Sequence, residues 1–218
     1  CYVSEPLRKR YPCPMFETVI SDVDLPSEAF SQAPRKFSIQ PVPLKLVSVG
    51  LSDPCKAHDC LLRALHQVRA AGLDIELRLL GQGSQRAHLE RLAHQLGLAS
   101  SVHFSGWLQA DSFRSHLDQA DLYICASRAE GMSRALLEAM ARGLPCLATR
   151  VGGNVELLSQ EALLPVGDSG ALASRLQWAA NRPDWLSQQS TRNHLRAQAY
   201  SLERLRPHWK SFAERLNR

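Results

Sequence analysis

No apolar run in this sequence approaches the roughly 20 residues a membrane-spanning helix needs, and its first residues lack the pattern of a signal peptide. A cytoplasmic protein is the expectation. Aromatic residues make up only 6% of the chain, and no clustered basic block or stacking motif accompanies the net charge of +5, so nucleic acid is not an expected partner. The positive balance is diffuse and carried mostly by arginine, which suits phosphate-rich ligands or a peripheral contact with the anionic inner face of a membrane. Six cysteines, Cys1, Cys13, Cys55, Cys60, Cys125 and Cys146, make no Cys-x-x-Cys pair, and the eight histidines show no ligand spacing. Neither a zinc site nor a disulfide framework is expected, and the compartment reads as reducing. The sequence also lacks an Asp-x-Asp metal motif and any Ser/His/Asp pattern; most of its histidines read as surface helix residues.

What is present fits one globular domain with a substantial core: 218 residues, 44% hydrophobic and 22% charged. Residues 1–35 differ from the rest, with prolines at 6, 12, 14, 26 and 34. Ser4-Glu5 with Leu7 and Arg8 predicts a short capped helix, and Thr18-Val19-Ile20 a short strand. A chain that starts at Cys1 without methionine reads as a processed piece or a fragment. From Leu44 onward the pattern is regular. Strands are predicted at Leu44–Val49, Ile75–Leu80, Val102–Phe104, Leu122–Ala126, Pro145–Thr149 and Ala162–Val166. Helices are predicted between them, one carrying Leu61, Leu62, Leu65 and Val68 on its buried side, another Leu89, Leu92, Ala93 and Leu96. Beyond Asp168 the chain reads as helical, ending in an amphipathic segment, Leu202–Leu216, anchored by Trp209 and Phe212. Its apolar face is expected either to pack on the sheet or to stay exposed, with Cys125 and Cys146 as small buried hydrophobes. Alternation of strand and helix every twenty to thirty residues predicts an α/β fold with a doubly wound parallel sheet.

The richest stretch runs from Asp121 to Leu158. A buried strand leads through a polar turn, Ser127–Ser133, into a helix with Ser133 at its N-cap and Gly143 at its end. In an open parallel sheet ligands sit beyond the carboxyl ends of the strands, where this turn lies. The backbone amides of Gly131, Met132 and Ser133, at a positive helix end, suit a pyrophosphate. Glu138, just inside the helix, has the reach for both hydroxyls of a ribose, and Glu130 would face the group beyond the phosphates. Glutamates in first helical turns are also common because they complement the dipole, so a solvated Glu138 is the plain alternative. Lys56, in the loop after the first strand, lies on the same sheet edge and can neutralise a diphosphate leaving group. Gly81-x-Gly83 reads as a tight strand-to-helix turn, and Trp107 as a partly buried aromatic.

Taken together, Glu130-Gly131, Leu137-Glu138-Ala139-Met140, Gly143-Leu144-Pro145, Gly152-Gly153 and Glu156 closely resemble the donor-site signature of family 4 retaining glycosyltransferases of the GT-B fold. The resemblance covers Leu44 to the end well and the first thirty residues loosely. It implies that 36–218 is a nucleotide-sugar-binding domain, Rossmann-like and carboxyl-terminal, ending in a helix that crosses back to pack on the other domain, and that 1–35 is a remnant of an acceptor domain and linker. It implies catalytic roles for Glu130 and Lys56, and donor contacts from Gly50, Gly81, Gly83, Leu108, Ser127, Gly131, Met132, Ser133 and Glu138. The donor would be a UDP- or GDP-linked hexose, with no cofactor and no metal. The chain departs from the family at Leu51, where an arginine is usual, at Ala57, where a glycine follows the lysine, and at Ser133, often proline. A non-catalytic donor-binding module, a decayed subunit and, further off, a nucleotide-sugar epimerase remain alternatives.

Overall fold

The computed structural model describes residues 1–13, 18–39 and 42–216; Pro14 of the proline-rich passage lies outside them. One wholly parallel sheet is built from β1 (Leu44–Val49), β2 (Ile75–Leu80), β3 (Val102–Gly106), β4 (Leu122–Cys125), β5 (Cys146–Thr149) and β6 (Leu163–Leu164), in the spatial order β3-β2-β1-β4-β5-β6. Leu46 of β1 stands opposite Leu77 of β2 on one side and Leu122 of β4 on the other. The order reverses between β1 and β4, which opens a crevice at their carboxyl ends.

The helices are α1 (Glu5–Arg10), α2 (His58–Ala70), α3 (Arg86–Gln95), α4 (Ala110–Gln119), α5 (Arg134–Ala141), α6 (Asn154–Leu157), α7 (Ser169–Ala180), α8 (Pro183–Ala197) and α9 (Leu202–Leu216). Helix α2 packs on α3 and α7, and α5 on α8. Right-handed crossovers with a reversal in strand order place these groups on opposite faces of the sheet. The predicted apolar stripe of α2 is wholly buried at Leu61, Leu62, Leu65 and Val68, each worth about 1.5–3 kcal/mol of burial. Strands β4 and β5 are buried at every residue, as central strands covered on both faces must be.

Several boundaries differ from expectation. Strand β4 stops one residue before Ala126, and the last strand shrinks to Leu163–Leu164. The latter pairs with β5 alone, a tight turn at Gln160–Ala162 takes its first expected residue, and Val166 is left exposed. The expected strand at Thr18–Ile20 is a single bridge between Tyr2 and Val19. Helix α9 is mostly exposed, and its aromatic anchor meets the amino-terminal passage: the Trp209 indole donates to the Ser21 carbonyl at 3.2 Å and its ring meets Phe212 edge-on. There Leu25 pairs with the start of α9, its amide donating to the Tyr200 carbonyl and its carbonyl accepting from Leu202, both at 2.9 Å.

The linker into β1 is fastened by Arg35. Its guanidinium donates to the Leu117 and Ala120 carbonyls at the end of α4 and to the Arg142 carbonyl at the end of α5. Both are helix carboxyl ends, where unpaired carbonyls and the dipole favour a cation. Burial nevertheless pulls the Arg35 pKa down, against the opposing charges of Asp118 and Asp121.

Candidate functional site

The crevice is shaped first by backbone meeting backbone. After β1 and β2 the loops stack: Gly50 donates to the Leu80 carbonyl at 3.0 Å and Ser52 to the Gln82 carbonyl at 2.9 Å. Gly81, at φ +134, leaves no space for a side chain, because a Cβ there would run into the Gly50 carbonyl. Gly83 approaches the Ser52 backbone just as closely. Across the crevice, Gly152 and Gly153 do the same for the β4 turn. A Cβ at Gly152 would strike the Glu130 carbonyl, and the Gly153 amide donates to the Gly131 carbonyl at 2.7 Å. With its carbonyls drawn back in this way, the turn has amides at Gly131, Met132 and Ser133 that no described group accepts from. Ser133 caps α5 by accepting from the Leu136 amide.

Side chains then converge on one carboxylate. Asp53 caps a short turn, Pro54–Lys56, by accepting from the Lys56 amide, and the Lys56 stem crosses Gly50, where a Cβ would come within 3.0 Å of it. Its ammonium reaches Glu130 Oε1 at 2.6 Å. The hydroxyl of Ser127, itself buried, donates to the same oxygen at 2.6 Å. Oε2 of Glu130 has no hydrogen-bond partner among the described residues. The Glu130 side chain is 10% exposed and that of Lys56 24%, so neither is turned into bulk water. Burial works to lower the Lys56 pKa, but the hydrogen bond and charge of Glu130 outweigh it and the pKa is raised.

Glu138 is half-buried on α5 and has no hydrogen-bond partner among the described residues. Burial raises its pKa, against the nearby charges of Arg134 and Arg114. Leu108 is partly buried against the core and makes no hydrogen bond to the Lys56–Glu130 cluster. Glu156 sits half-buried on α6; burial raises its pKa, while the Glu5 amide at the start of α1 hydrogen-bonds to it. One sequence expectation is corrected. Trp107 is 72% exposed at the tip of β3, because Gly106, at φ +69, turns the chain away from the core there. Leu51 is 63% exposed. Most histidines lie at the surface as expected; His58 and His194 are buried, His194 with its ring against the Ala141 carbonyl at 3.1 Å. Among the described residues no group of three or more His, Cys, Asp or Glu is placed to hold a metal ion. Sequence reasoning missed Thr149 and Asn154, buried polar residues behind the turn; two polar side chains flanking a Gly-Gly were the only signal.

An open parallel sheet with a carboxylate and a row of free amides at its switch point defines a Rossmann-like ligand-binding domain. The family model for Glycosyl transferases group 1 matches residues 43–182, and the chain belongs to that family. Among curated relatives, WcaL of Escherichia coli K12, a glycosyltransferase assigned to colanic acid biosynthesis, is 30% identical over 173 residues, covering 75% of this chain and 42% of WcaL. A GDP-mannose-dependent phosphatidylinositol monomannoside mannosyltransferase of Mycolicibacterium smegmatis is 36% identical over 110 residues, 47% of this chain and 29% of that protein. The chain thus spans less than half the length of these relatives. Among solved structures, sucrose-phosphate synthase of Thermosynechococcus elongatus superposes with a TM-score of 0.79 at 22% identity, over 99% of this chain and 57% of that one. HepE of Anabaena, solved with UDP-glucose, gives 0.77 at 20% identity, over 92% and 57%. These likenesses establish the carboxyl-terminal half of a GT-B fold.

Proposed function

We propose that this chain is the donor half of a retaining glycosyltransferase, which binds a nucleoside diphosphate sugar and passes its hexose to an acceptor hydroxyl of a glycan or other glycoconjugate. The observation that carries it is the meeting of Lys56 and Ser127 on one oxygen of Glu130, directly before three unpaired amides. An ammonium has three N–H donors. One is used by Glu130, which leaves two for the oxygens of a departing diphosphate. The Gly131 to Ser133 amides add fixed dipoles where charge develops as the glycosidic C–O bond breaks. The partnerless Oε2 of Glu130 accepts from the hexose hydroxyls, and Glu138 takes the ribose hydroxyls, being half-buried and without a donor of its own.

HepE with UDP-glucose and the GDP-mannose-dependent mannosyltransferase make UDP and GDP the two bases to test. In this reading residues 1–35 belong to the acceptor half, the chain alone binds donor and transfers nothing, and the work is done in the cytoplasm or at the inner membrane face. No helix of the described residues is long and apolar enough to cross a membrane. A non-catalytic donor-binding module is the second reading, favoured by exposed Leu51 where the family pattern has a cation. Calorimetric titration with UDP, GDP and ADP tests the first step. Glu138→Ala is expected to weaken the preferred nucleotide by about 10- to 100-fold, the worth of one or two charge-assisted hydrogen bonds. Unchanged affinity in that variant removes Glu138 from the site, and no binding of any of the three by the parent chain ends the donor reading.

A further inference from the structure

Behind the β4 turn runs a line of buried polar groups that the proposed chemistry leaves unused. Thr149, the last residue of β5, is 4% exposed, and its hydroxyl lies 2.5 Å from the Ser127 carbonyl and 3.4 Å from that of Cys125. A hydroxyl has one proton to give, and the shorter contact takes it. Asn154, wholly buried at the start of α6, donates its amide to the Thr149 carbonyl at 3.1 Å and so ties Thr149 in place. Ser127 in turn gives its own hydroxyl proton to Glu130 Oε1. The line therefore passes from α6 through the end of β5 to the β4 turn and stops at the carboxylate.

We propose that Thr149 is a positioning residue for Glu130, acting through Ser127. This rests on the reading of Glu130 as the ligand of the hexose. The turn is anchored along its length, and the anchors of its two halves differ. Its phosphate-facing half is held by the Gly153 amide on the Gly131 carbonyl and by the Ser133 cap. Its sugar-facing half is held on one peptide from two sides, by the Thr149 hydroxyl on the Ser127 carbonyl and by the Arg128 amide on the Cys55 carbonyl at 2.7 Å. Ser127 is 1% exposed, so a carbonyl deprived of that donor is driven to tilt toward another donor or toward water, with the peptide pivoting on the Arg128 amide that the Cys55 carbonyl still holds. That tilt swings the Ser127 hydroxyl off Oε1, and Oε1 then turns to capture other donors, taking Oε2 away from the sugar. Loss of the Thr149 hydroxyl accordingly affects the hexose and spares the diphosphate.

The test compares affinity for UDP-glucose with affinity for UDP, or GDP-mannose with GDP if guanosine is preferred, by calorimetry on the 218-residue chain. The dissociation constant for the nucleotide divided by that for the nucleotide sugar isolates the sugar. Thr149→Val is expected to reduce that ratio about tenfold, to the level of Glu130→Gln, with nucleotide affinity kept within about twofold. Thr149→Ser, which restores the hydroxyl, is expected to return the ratio to that of the parent. Should valine lower the unfolding midpoint, Thr149→Ala removes the same hydroxyl with less bulk and gives the same comparison. A parental ratio in the valine or alanine variant, or equal losses of nucleotide and nucleotide sugar, overturns the proposal and leaves the donor reading intact. A parent chain that binds no nucleotide overturns both.

Discussion

Leu51 stands at the start of the loop after β1 with 63% of its surface exposed, so it contributes little packing and can be replaced without opening the core. The family pattern has a cation here, and an added guanidinium would face the diphosphate beside Lys56. Leu51→Arg is therefore expected to tighten UDP or GDP binding about tenfold, a partly screened share of what a charge-assisted contact is worth; equal affinity in calorimetry would show that position 51 does not face the phosphates. Two residues after Lys56, His58 is 3% exposed, its Nδ1 has no partner, and burial, helped by the Lys56 charge, lowers its pKa from 6.5 to about 4. Below pH 6.5 the unfolded chain takes up a proton that the folded chain refuses. This group's share of stability is thus intact above pH 6.5 and falls by at most about 3 kcal/mol as pH drops to 4. Urea unfolding at pH 7 and pH 5 measures it, and His58→Gln is expected to flatten the difference; an unchanged slope would mean that His58 is not the group responsible. Between these two lies Ala57, at φ +50 the one non-glycine residue with positive φ among the described residues. The glycine usual in the family at this point answers a left-handed backbone that costs alanine about 1–2 kcal/mol.

At the level of elements, the β4 turn keeps its shape because Gly152 packs its backbone against that of Glu130. Gly152→Ala forces the turn outward and is expected to lower nucleotide affinity at least tenfold, with an overpacking cost of about 1–3 kcal/mol. Gly167→Ala is the control: its φ of +73 strains an added Cβ equally, yet nothing lies within 4 Å of it, so stability drops and affinity stays. Equal affinity losses in the two variants would refute the contact argument. What the sequence made legible was local. Strands β1 and β2 fall on their expected residues, and the Ser133 cap sits where expected, because alternation, apolar runs and capping chemistry are written within a few neighbouring positions. The two-residue β6 and the bridge at Val19 were over-read, since strand length at a sheet edge depends on the neighbour as much as on the run itself. The candidate site divides in the same way. Glu130, Lys56 and the turn amides were singled out from their place in the loops after two strands and from the family resemblance, whereas the Thr149 hydroxyl on the Ser127 carbonyl joins two strand ends that only the folded sheet brings together.

For the molecule as a whole, the sheet with α2 to α8 forms a body whose buried core also takes in Val23, Leu25 and Leu205, while the rest of the first 25 residues and of α9 is fastened on from outside. Leu25 pairs with the start of α9, the Trp209 indole holds the Ser21 carbonyl, and α9 otherwise packs on the turn Gln198–Tyr200. Most of α9 is exposed, with Leu205 its one buried residue among those described. Such a clasp adds little to the cooperative core and belongs at the low end of local stability. Trp209→Ala removes the indole donor and its edge contact with Phe212, a loss of about 1–3 kcal/mol confined to the clasp. Amide hydrogen exchange is expected to quicken in 18–25 and in α9, with β1 to β5 as protected as before. Accelerated exchange through the sheet would mean that the two parts unfold as one. If 18–25 and α9 do loosen alone, the crevice that holds Lys56 and Glu130 keeps its shape. Donor affinity should then be equal in the Trp209→Ala and parent chains.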